Sequence, residues 1–552
     1  MTNYQFTGGT ICAPATIPGT GAISIIRVSG KESLAIADKV IDTKGVPIAE
    51  TEGYRLRYGT VFEADGSVLD NVIVSVFRAP HSYTGENSVE ISCHASRFIV
   101  NKILELLVNA GARIAAPGEY TRRAFVNGKM DLAQAEAVAD VIASQSAASH
   151  RVAMNQLKGG FSSELKTLRE KLLTMTSLLE LELDFSEEDV EFASRKELGQ
   201  LVDDSLTHIG RLTASFSRGN AIKNGVPVAI VGATNTGKST LLNALLGEER
   251  AIVSDIAGTT RDTIEETLNI DGILFRFIDT AGIRETDETI EKIGIDRTFK
   301  KLGEAAVVLG MTDLSRGEAA VLEDAYFILS KVNEMGGVKN VGTENDGSET
   351  DGVSPAETGG ASLAGTSGAS LAETGGASQH SRDAGQERKV VILVNKCDVA
   401  GDFYRDDNGT GYGSGNDLGE NMAEIGDNKN VNHDNNIVLL IENKYDNCKV
   451  IPISAKTGKG LSTLTKTLGE IGSEITGSTD ETLVTNVRHY EALVRAASAL
   501  DRVRAGLHIA TLPPDLIAQD LREALYHLGE IVGEISTDET LGNIFRNFCI
   551  GK

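Results

Sequence analysis

One segment of the chain combines glycines, a lysine and a serine at a spacing that suits phosphate binding. Residues 232–239 read Gly-Ala-Thr-Asn-Thr-Gly-Lys-Ser, between the apolar run 226–231 and the helix-forming run 240–246. Glycines at both ends of such a loop let backbone N–H groups approach phosphate oxygens, and the following helix start adds positive potential. Lys238 can then reach the β- and γ-phosphates, and the Ser239 hydroxyl can bind Mg²⁺. The spacing predicts a nucleoside triphosphate site rather than a glycine turn between a strand and a helix.

Two later segments indicate which base the nucleotide carries. An apolar run ends in Asn-Lys-Cys-Asp at 395–398, and another ends in Ser-Ala-Lys at 454–456. The Asp398 carboxylate can accept hydrogen bonds from the ring N–H and the exocyclic amine of guanine, which adenine does not offer in that pattern. A site built to pair a ligand N–H rejects an analogue that lacks it by on the order of 10⁴ or more. Because open α/β sheets bind ligands at the carboxyl ends of their strands, the two segments together predict GTP.

The segments between these motifs predict the chemistry of hydrolysis. The strand-like run 274–282 ends in Asp-Thr-Ala-Gly, so Asp279 can support the Mg²⁺ shell and the Gly282 amide can sense the γ-phosphate. Thr260, in Ala-Gly-Thr-Thr-Arg-Asp, is the expected second Mg²⁺ ligand. Ile283 stands where many signalling GTPases carry a water-orienting glutamine, and no arginine finger can be assigned. Another group must therefore position the water, and a monovalent cation could supply part of the charge.

Segments near both ends of the chain carry a family resemblance. They are Ile-Ile-Arg-Val-Ser-Gly at 25–30, the stretch 81–90, the stretch 116–129 and Asn-Phe-Cys-Ile-Gly-Lys at 547–552. With the glycine-rich loop and the Gly-Thr-Thr-Arg-Asp switch, they resemble the MnmE (TrmE) family of tRNA-modification GTPases over nearly the whole chain except two central insertions. The resemblance implies a GTPase that acts with the flavoprotein MnmG (GidA). Together they would add an aminomethyl or carboxymethylaminomethyl group to carbon 5 of the wobble uridine of certain tRNAs.

The resemblance also implies ligands and residue roles. A tetrahydrofolate one-carbon donor, in its 5,10-methylene or formyl form, would bind at Arg27, Glu90, Lys129 and Lys552. These residue types suit folate, because cations pair with its carboxylates and an acid accepts from the pterin N–H groups. Potassium would bind Asn235 and the backbone of Ser254, Ile256 and Thr259. Glu291 matches the family's water-orienting glutamate, and Cys549 matches the tail cysteine linked to the modification chemistry. FAD and NADH would belong to the partner.

Motifs and resemblance together give the expected nucleotide contacts. They are Asn235, Thr236, Gly237, Lys238, Ser239, Thr240, Ser254, Asp255, Ile256, Ala257, Gly258, Thr259, Thr260, Asp279, Thr280, Ala281, Gly282, Asn395, Lys396, Asp398, Ser454, Ala455 and Lys456. One departure from the family pattern lies in this region, because Gly310-Met311 is expected to interrupt the strand that begins near Ala305. A different class of function also stays open at this stage, a nucleotide-dependent binding switch of the ribosome-assembly type without one-carbon chemistry.

The elements that must position these residues predict a multidomain α+β and α/β protein. We expect an N-terminal α+β domain of the folate-binding type over 1–125, because short apolar strands alternate with turns there. Helical periodicity over 126–221 and 476–552 predicts one helical domain. A Ras-like P-loop GTPase domain, 222–475, would be inserted into it. The resemblance further implies a homodimer through the N-terminal domain and a heterotetrameric or larger complex with MnmG.

The charge of the chain is concentrated in two segments. The net charge is −25 over 552 residues, which argues against a general nucleic-acid binder. Residues 340–387, with a repeated Ala-Glu-Thr-Gly-Gly-Ala-Ser, hold eight acids and one base, and residues 401–446 hold ten acids and three bases. Both compositions predict disordered insertions that contribute −14. Contact with tRNA must then be local, and Arg488, Arg495, Arg502 and Arg504 are candidates unless they form a solvated helix face.

Cysteine spacing and hydropathy exclude other classes. The five cysteines form no Cys-x-x-Cys pair, so neither a zinc site nor a disulfide framework is expected. The first residues lack a charged and apolar signal sequence, and no apolar run approaches the length of a transmembrane helix. We therefore expect no membrane contact and a bacterial-type cytoplasm or an organelle matrix.

Overall fold

The computed structural model describes most of the chain in two compact units. The described residues are 8–184, 194–249, 266–278, 305–334, 388–398, 441, 448–477, 481–509, 513–535, 538–546, 548 and 551. One unit contains Met1–Asn224 and Thr476–Lys552, and the other contains Gly225–Ile475. Apart from Ile441, both predicted insertions lie outside the described residues. Strands and helices are numbered along the chain.

The first unit opens with a seven-stranded sheet. Its strands are β1 (Ile11–Pro14), β2 (Ile23–Ser29), β3 (Ile41–Asp42), β4 (Arg55–Phe62), β5 (Val68–Phe77), β6 (Ser88–His94) and β7 (Arg113–Ile114). Their order is β3-β4-β5-β6-β2-β1-β7, and neighbours are antiparallel except β1 and β7. Alternation in β5 explains one face, because Val72, Val74 and Val76 are buried while Ile73 is exposed. The register sets Arg27 of β2 directly opposite Glu90 of β6.

Helices cover this sheet and then build a second core. The helices of this unit are α1 (Ser33–Val40), α2 (Arg97–Asn109), α3 (Glu119–Val126), α4 (Leu132–Ala143), α5 (Ala147–Leu157), α6 (Gly160–Asp184), α7 (Arg195–Ala214), α8 (Phe216–Asn224), α12 (Val487–Leu507), α13 (Pro514–Val532) and α14 (Asp538–Arg546). Buried side chains of α1 and α2, such as Leu34 and Leu107, pack with the strand valines. Leucines of α6, α7, α12 and α13 form a separate helical core. Asp131 and Gln134 form a capping box that starts α4.

The second unit is a six-stranded sheet with helices. Its strands are β8 (Val226–Gly232), β9 (Glu266–Ile270), β10 (Ile273–Ile278), β11 (Val307–Asp313), β12 (Lys389–Asn395) and β13 (Cys448–Pro452), and its helices are α9 (Lys238–Glu249), α10 (Glu318–Glu334) and α11 (Leu461–Thr476). The order is β13-β12-β11-β8-β10-β9, and all pairs are parallel except β9 with β10. Strands buried on both faces explain the continuous apolar runs of the sequence. The predicted α+β and α/β fold class is confirmed.

One expectation about this sheet is wrong. Gly310 and Met311 do not interrupt the strand, because β11 continues unbroken from Val307 to Asp313 and pairs with both neighbours. A Cβ atom at Gly310 would lie 2.7 Å from the Cδ1 atom of Ile392. The glycine therefore leaves room for the side chains of Ile392 and Ile328. The strand continues through it because strand pairing uses only backbone N–H and C=O groups.

Candidate functional site

The glycine-rich loop joins the end of β8 to the start of α9. Gly232 has φ +155° and Gly237 has φ +97°, a range that favours glycine. A Cβ atom at Gly232 would collide with the carbonyl oxygen of Met311, and one at Gly237 would collide with Nδ2 of Asn395. Both glycines are therefore required by close packing against neighbouring strand ends, in addition to any role toward phosphate.

Lys238 folds back over this loop. Its ammonium group donates hydrogen bonds to the carbonyl oxygens of Gly232 at 2.9 Å and Ala233 at 2.7 Å. The Thr236 hydroxyl donates to the same Ala233 carbonyl at 2.9 Å, which closes the turn. Burial lowers the pKa of the Lys238 ammonium. Ser239 follows it in the first turn of α9, so the loop, the cation and the hydroxyl meet in one place.

Asn395 connects three of the predicted segments. It ends β12, and its side chain is almost fully buried. Its Nδ2 donates to the backbone carbonyl of Thr236 at 2.7 Å, and its Oδ1 accepts from the backbone N–H of Ala455 at 3.0 Å. One side chain thus holds the glycine-rich loop and the Ser-Ala-Lys segment against the end of β12.

The carboxylate predicted to read the base is exposed and ionised. A hydrogen bond from the Ser454 side chain lowers the pKa of Asp398, and Lys456 and Lys396 contribute in the same direction. An ionised carboxylate accepts hydrogen bonds only, which matches the paired N–H groups of guanine. Ser454 is buried, and its backbone N–H donates to the carbonyl of Lys459 at 2.9 Å.

Sequence reasoning missed Asp313, which lies beside these residues. It ends β11 in register with Asn395, and its Oδ2 accepts from the Lys396 ammonium at 2.6 Å. Burial raises the pKa of the Asp313 carboxyl, but hydrogen bonds from Lys396 and Ser315 more than offset this and hold it below its usual range. The available signal was an acid at the end of a mostly apolar strand, as in the other nucleotide-site segments.

Several predicted nucleotide and cation residues lie outside the described residues. They are Ser254, Asp255, Ile256, Ala257, Gly258, Thr259, Thr260, Asp279, Thr280, Ala281, Gly282 and Glu291. The described part of the site therefore consists of the glycine-rich loop, the Asn-Lys-Cys-Asp segment and the Ser-Ala-Lys segment.

A second cluster gathers around Arg27 in the N-terminal sheet. Arg27 and Glu90 form a salt bridge, with Nη2 and Oε1 at 2.8 Å and both side chains about one fifth exposed. The guanidinium lies 5.3 Å from the ring centroid of Tyr83 and 5.6 Å from that of Tyr120. Its Nη1 also donates to the carbonyl of Gly551 at 3.4 Å, so the cluster joins residues more than five hundred positions apart.

The C-terminal segment is packed against this region. Phe545 contacts the buried Leu132 and the half-buried Phe125 in one apolar cluster. Gly118 has φ +66°, and a Cβ there would lie 2.7 Å from the Phe545 carbonyl oxygen. Gly551 has φ +99° and approaches the carbonyl of Pro14 too closely for a side chain. These contacts bring the segment that contains Gly551 to the N-terminal sheet, whereas Cys549 and Lys552 lie outside the described residues.

A buried ionic network underlies the Arg27 cluster and was also missed. Arg123 is 2 % exposed and pairs with Glu119 at 2.9 Å and Glu86 at 3.0 Å. Glu86 also accepts from the Ser29 hydroxyl at 2.8 Å. Through Glu86, the buried Arg123 of α3 fixes the loop between β5 and β6, which carries Tyr83. Paired charges are the form in which ions are tolerated in an interior.

Lys129, the third described residue predicted to bind folate, lies beside the same loop. Its ammonium donates to the carbonyl of Pro80 at 3.1 Å, and its side chain packs on Gly85. The structure thus places Lys129 against the β5–β6 loop, and Tyr83 of the same loop lies on the Arg27 guanidinium.

The four arginines considered for tRNA contact all pair with acids. Arg488 does not lie on a solvated face, because it is mostly buried and binds Glu136 through two bonds of 3.0 Å. It also donates to the carbonyls of Glu530 and Ile531. The exposed members pair Arg495 with Glu530, Arg502 with Asp520 and Glu523, and Arg504 with Asp501. Carboxylates beside each guanidinium reduce its attraction for phosphate.

Within the described ranges, every helix is either too short or too polar to span a lipid bilayer. No group of three or more His, Cys, Asp or Glu side chains in the same ranges could hold a metal ion.

Comparison with known proteins covers nearly the whole chain. A family model described as "GTP-binding protein TrmE N-terminus" matches residues 10–129, and one described as "MnmE helical domain" matches residues 132–549. The tRNA modification GTPase MnmE of Parabacteroides distasonis is 45% identical over 98% of this chain and 100% of its own length. The proteins of that name from Bacteroides thetaiotaomicron and Porphyromonas gingivalis are 44% and 42% identical, over 98% and 100% of this chain and 99% of each relative. A solved GTP-binding protein from Sulfolobus solfataricus in complex with GDP is 16% identical to this chain. The alignment covers 56% of this chain and 67% of that chain, with a TM-score of only 0.24.

Proposed function

Because the chain belongs to the MnmE (TrmE) family of tRNA modification GTPases, we propose that it couples GTP hydrolysis to modification at carbon 5 of wobble uridine. The product would carry an aminomethyl or carboxymethylaminomethyl group derived from a tetrahydrofolate. The observation that carries this proposal is the contact between Arg27 and the Gly551 carbonyl, which brings the segment before Lys552 to the predicted folate residues. Full-length similarity to tRNA modification GTPases favours this reading over a ribosome-assembly switch.

The nucleotide part of the proposal rests on the loop geometry. Gly232 and Gly237 carry no side chains of their own, and the Lys238 ammonium lies on the loop carbonyls of Gly232 and Ala233. GTP would lie along this backbone, with Lys238 on the β- and γ-phosphates and Asp398 on the base. Ser239 and Thr260 would hold Mg²⁺, which would neutralise charge that develops on the phosphates.

Potassium activation is supported by one described residue. Asn235 is exposed and has φ +62°, so its side chain and backbone turn out of the loop. Potassium would bind it together with the backbone of Ser254, Ile256 and Thr259, and would supply positive charge in place of an arginine finger. We expect GTP hydrolysis to be faster in potassium chloride than in sodium chloride at equal ionic strength. Equal rates in the two salts would refute this part.

The attacking water would be positioned by Glu291. Replacing Glu291 with Ala should lower the GTP turnover number by about 100-fold or more, the lower end of the range for a positioned general base. The dissociation constant for GTP should change little, because the side chain would contact water rather than nucleotide. An unchanged turnover number would exclude this role.

The folate part of the proposal rests on the Arg27 cluster. Arg27 and Glu90 present a cation and an acid at neighbouring positions, with two tyrosine rings beside them. Arg27, Lys129 and Lys552 would pair with folate carboxylates, and Glu90 would accept from pterin N–H groups. The folate would supply the carbon atom of the new group. Cys549 would act near it as the tail cysteine of the modification chemistry.

Titration with a reduced folate tests this part directly. We expect the wild-type chain to bind 5-formyltetrahydrofolate and Arg27→Ala to bind it about tenfold more weakly, as for loss of one charge-assisted hydrogen bond. Arg55→Ala is the matched control, because Arg55 is an exposed arginine of β4 in the same sheet. Absence of binding to the wild-type chain, or equal loss in both variants, would contradict the assignment.

Homodimer formation is supported by an exposed apolar patch on β4 and β5. The patch consists of Tyr54, Leu56, Tyr58 and Ile73, which are 70%, 65%, 66% and 48% exposed. Tyr58 lies directly opposite Ile73 in the sheet register. Contiguous exposed apolar surface of this kind marks interaction sites. A second copy of the chain would cover it.

Light scattering after size-exclusion chromatography tests the dimer. Tyr58→Lys should shift the mass from twice to once the chain mass, because it places a charge in the buried interface. Phe327→Lys, at an exposed aromatic position of α10, should leave the mass unchanged. A monomeric wild-type chain at micromolar concentration would refute the dimer.

The remaining elements of the proposal concern partners. The chain would act in the cytoplasm with MnmG, which would bring FAD and NADH, in a heterotetrameric or larger complex on tRNA. The pairing of the α12 arginines with acids supports a tRNA surface that is shared with the partner. Co-elution of the chain with purified MnmG tests the complex. Loss of tRNA modification when MnmG is omitted from the assay tests whether the partner is required.

A further inference from the structure

Lys396 has a backbone conformation that lysine rarely adopts. Its φ is +65°, in the left-handed region, which costs a residue with a Cβ atom about 1 kcal/mol or more. Such conformations persist only where the surrounding structure fixes them, and they cluster at ligand sites. The contacts around Lys396 should therefore explain why the chain turns here.

The two neighbours of Lys396 are held by backbone and side-chain bonds. Asn395 is anchored to Thr236 and Ala455, as described above. The backbone N–H of Cys397 donates to the carbonyl of Ile453 at 3.2 Å. These bonds fix the chain on both sides of the turn but do not act on the Lys396 side chain.

Asp313 supplies the contact to that side chain. Its Oδ2 is 2.6 Å from the Lys396 ammonium, and its own side chain is 7% exposed. Its Oδ1 accepts from both the backbone N–H of Ser315, at 3.0 Å, and the Ser315 hydroxyl. The carboxylate is therefore fixed from one side by Ser315 and can hold Lys396 from the other. Register between β11 and β12 keeps the two strand ends at the same level.

We propose that Asp313 is a positioning residue for guanine recognition, because it holds Lys396 in the left-handed turn that orients Asp398 toward the base. Asp398 follows Lys396 by two residues, so relaxation of the turn would move its carboxylate. The inference rests on the proposed contact between Asp398 and guanine. It adds a residue from a different strand, outside the Asn-Lys-Cys-Asp segment, to the group that determines base specificity.

Comparison of guanosine and inosine nucleotides tests this role. Inosine retains the ring N–H but lacks the exocyclic amine, so the ratio of the two affinities reports how well the Asp398 carboxylate is oriented. We would titrate the full chain with GDP and with IDP by calorimetry. Asp313→Asn should reduce the preference for GDP about fivefold, as for loss of one partly exposed ion pair. Arg316→Ala, which removes the exposed ion pair with Asp324 in the same turn and leaves the contacts of Asp313 in place, is the control and should keep the wild-type ratio.

Further variants separate this inference from the proposal beneath it. Asp398→Asn should abolish the GDP preference; if it does not, the base contact is wrong and the positioning role falls with it. A second outcome is that Asp398→Asn abolishes the preference for GDP, whereas Asp313→Asn keeps it or lowers the GDP and IDP affinities equally. In that case only the positioning role is wrong. Lys396→Met removes the same pair from the other side and serves if Asp313→Asn does not fold. The double variant that combines Asp313→Asn and Lys396→Met should lose no more of the GDP preference than either single variant does.

Discussion

Replacement of Asn395 with Ala should weaken nucleotide binding, because its side chain ties two of the predicted nucleotide loops together. The side chain makes two hydrogen bonds, to the Thr236 carbonyl at 2.7 Å and from the Ala455 N–H at 3.0 Å. Thr236 and Ala455 are themselves buried. Alanine would leave an acceptor and a donor without partners in the interior, on two different loops.

The size of the effect follows from those two groups. A buried polar group left unsatisfied costs about 1–3 kcal/mol, so the two together cost about 3 kcal/mol. Both loops are predicted to contact the bound nucleotide, so binding must hold them together against this cost. We therefore expect most of this cost to appear in binding, as an increase of about 100-fold in the dissociation constant for GDP.

Equilibrium titration with a fluorescent GDP analogue measures this change, and stopped-flow displacement should show that faster release accounts for most of it. Asn269→Ala is the control, because the Asn269 side chain accepts from Gly272 in the turn between β9 and β10, outside the predicted motifs. That variant should bind GDP within about threefold of the wild type. If Asn395→Ala, folded by circular dichroism, also binds within threefold, the side chain does not couple the two loops and the reasoning is refuted.

Four further outcomes are expected. Arg488→Ala should lower the free energy of unfolding in urea by about 3 kcal/mol or more, because it leaves the buried Glu136 carboxylate without its arginine and with His489 alone. Arg502→Ala, in an exposed pair, should lower it by less than about 1 kcal/mol, and equal losses would contradict this. Burial raises the pKa of Glu136, but His489 and Arg488 lower it to about 2, so the folded state binds fewer protons than the unfolded state and stability should fall between pH 4.5 and pH 2. Urea titrations across that range should show a shallower decline for Glu136→Gln. Arg123→Met should destabilise the first unit and weaken folate binding, since it leaves Glu86 without its arginine and Glu119 with Arg113 alone, and an unchanged melting temperature would count against the network. Gly310→Val should lower the melting temperature through overpacking of about 1–3 kcal/mol, and a wild-type value would show that the sheet relaxes easily.

Local chemistry made part of this protein predictable from its sequence. The predicted phosphate loop is contiguous, because one strand, one turn and one helix supply all of its groups, so Gly232, Gly237 and Lys238 could be proposed from local spacing alone. Parallel strands buried on both faces leave continuous apolar runs, so the ends of β8 and β12 were visible as the places where those runs stop. The fold class and family followed from the same segments, together with the motifs near both ends of the chain.

Contacts between distant segments were decided only by the tertiary structure. Strand register brought Asp313 level with Asn395, and no local spacing encodes that alignment. Packing of Phe545 near Gly118 brought Gly551 to Arg27, although the two residues lie 524 positions apart in the sequence. Arg488 appeared as one of several arginines on a polar helix, but its neighbour Glu136 comes from another helix and makes it an interior ion pair. A sequence shows which groups can do chemistry, whereas burial and pairing depend on which distant groups share the same space.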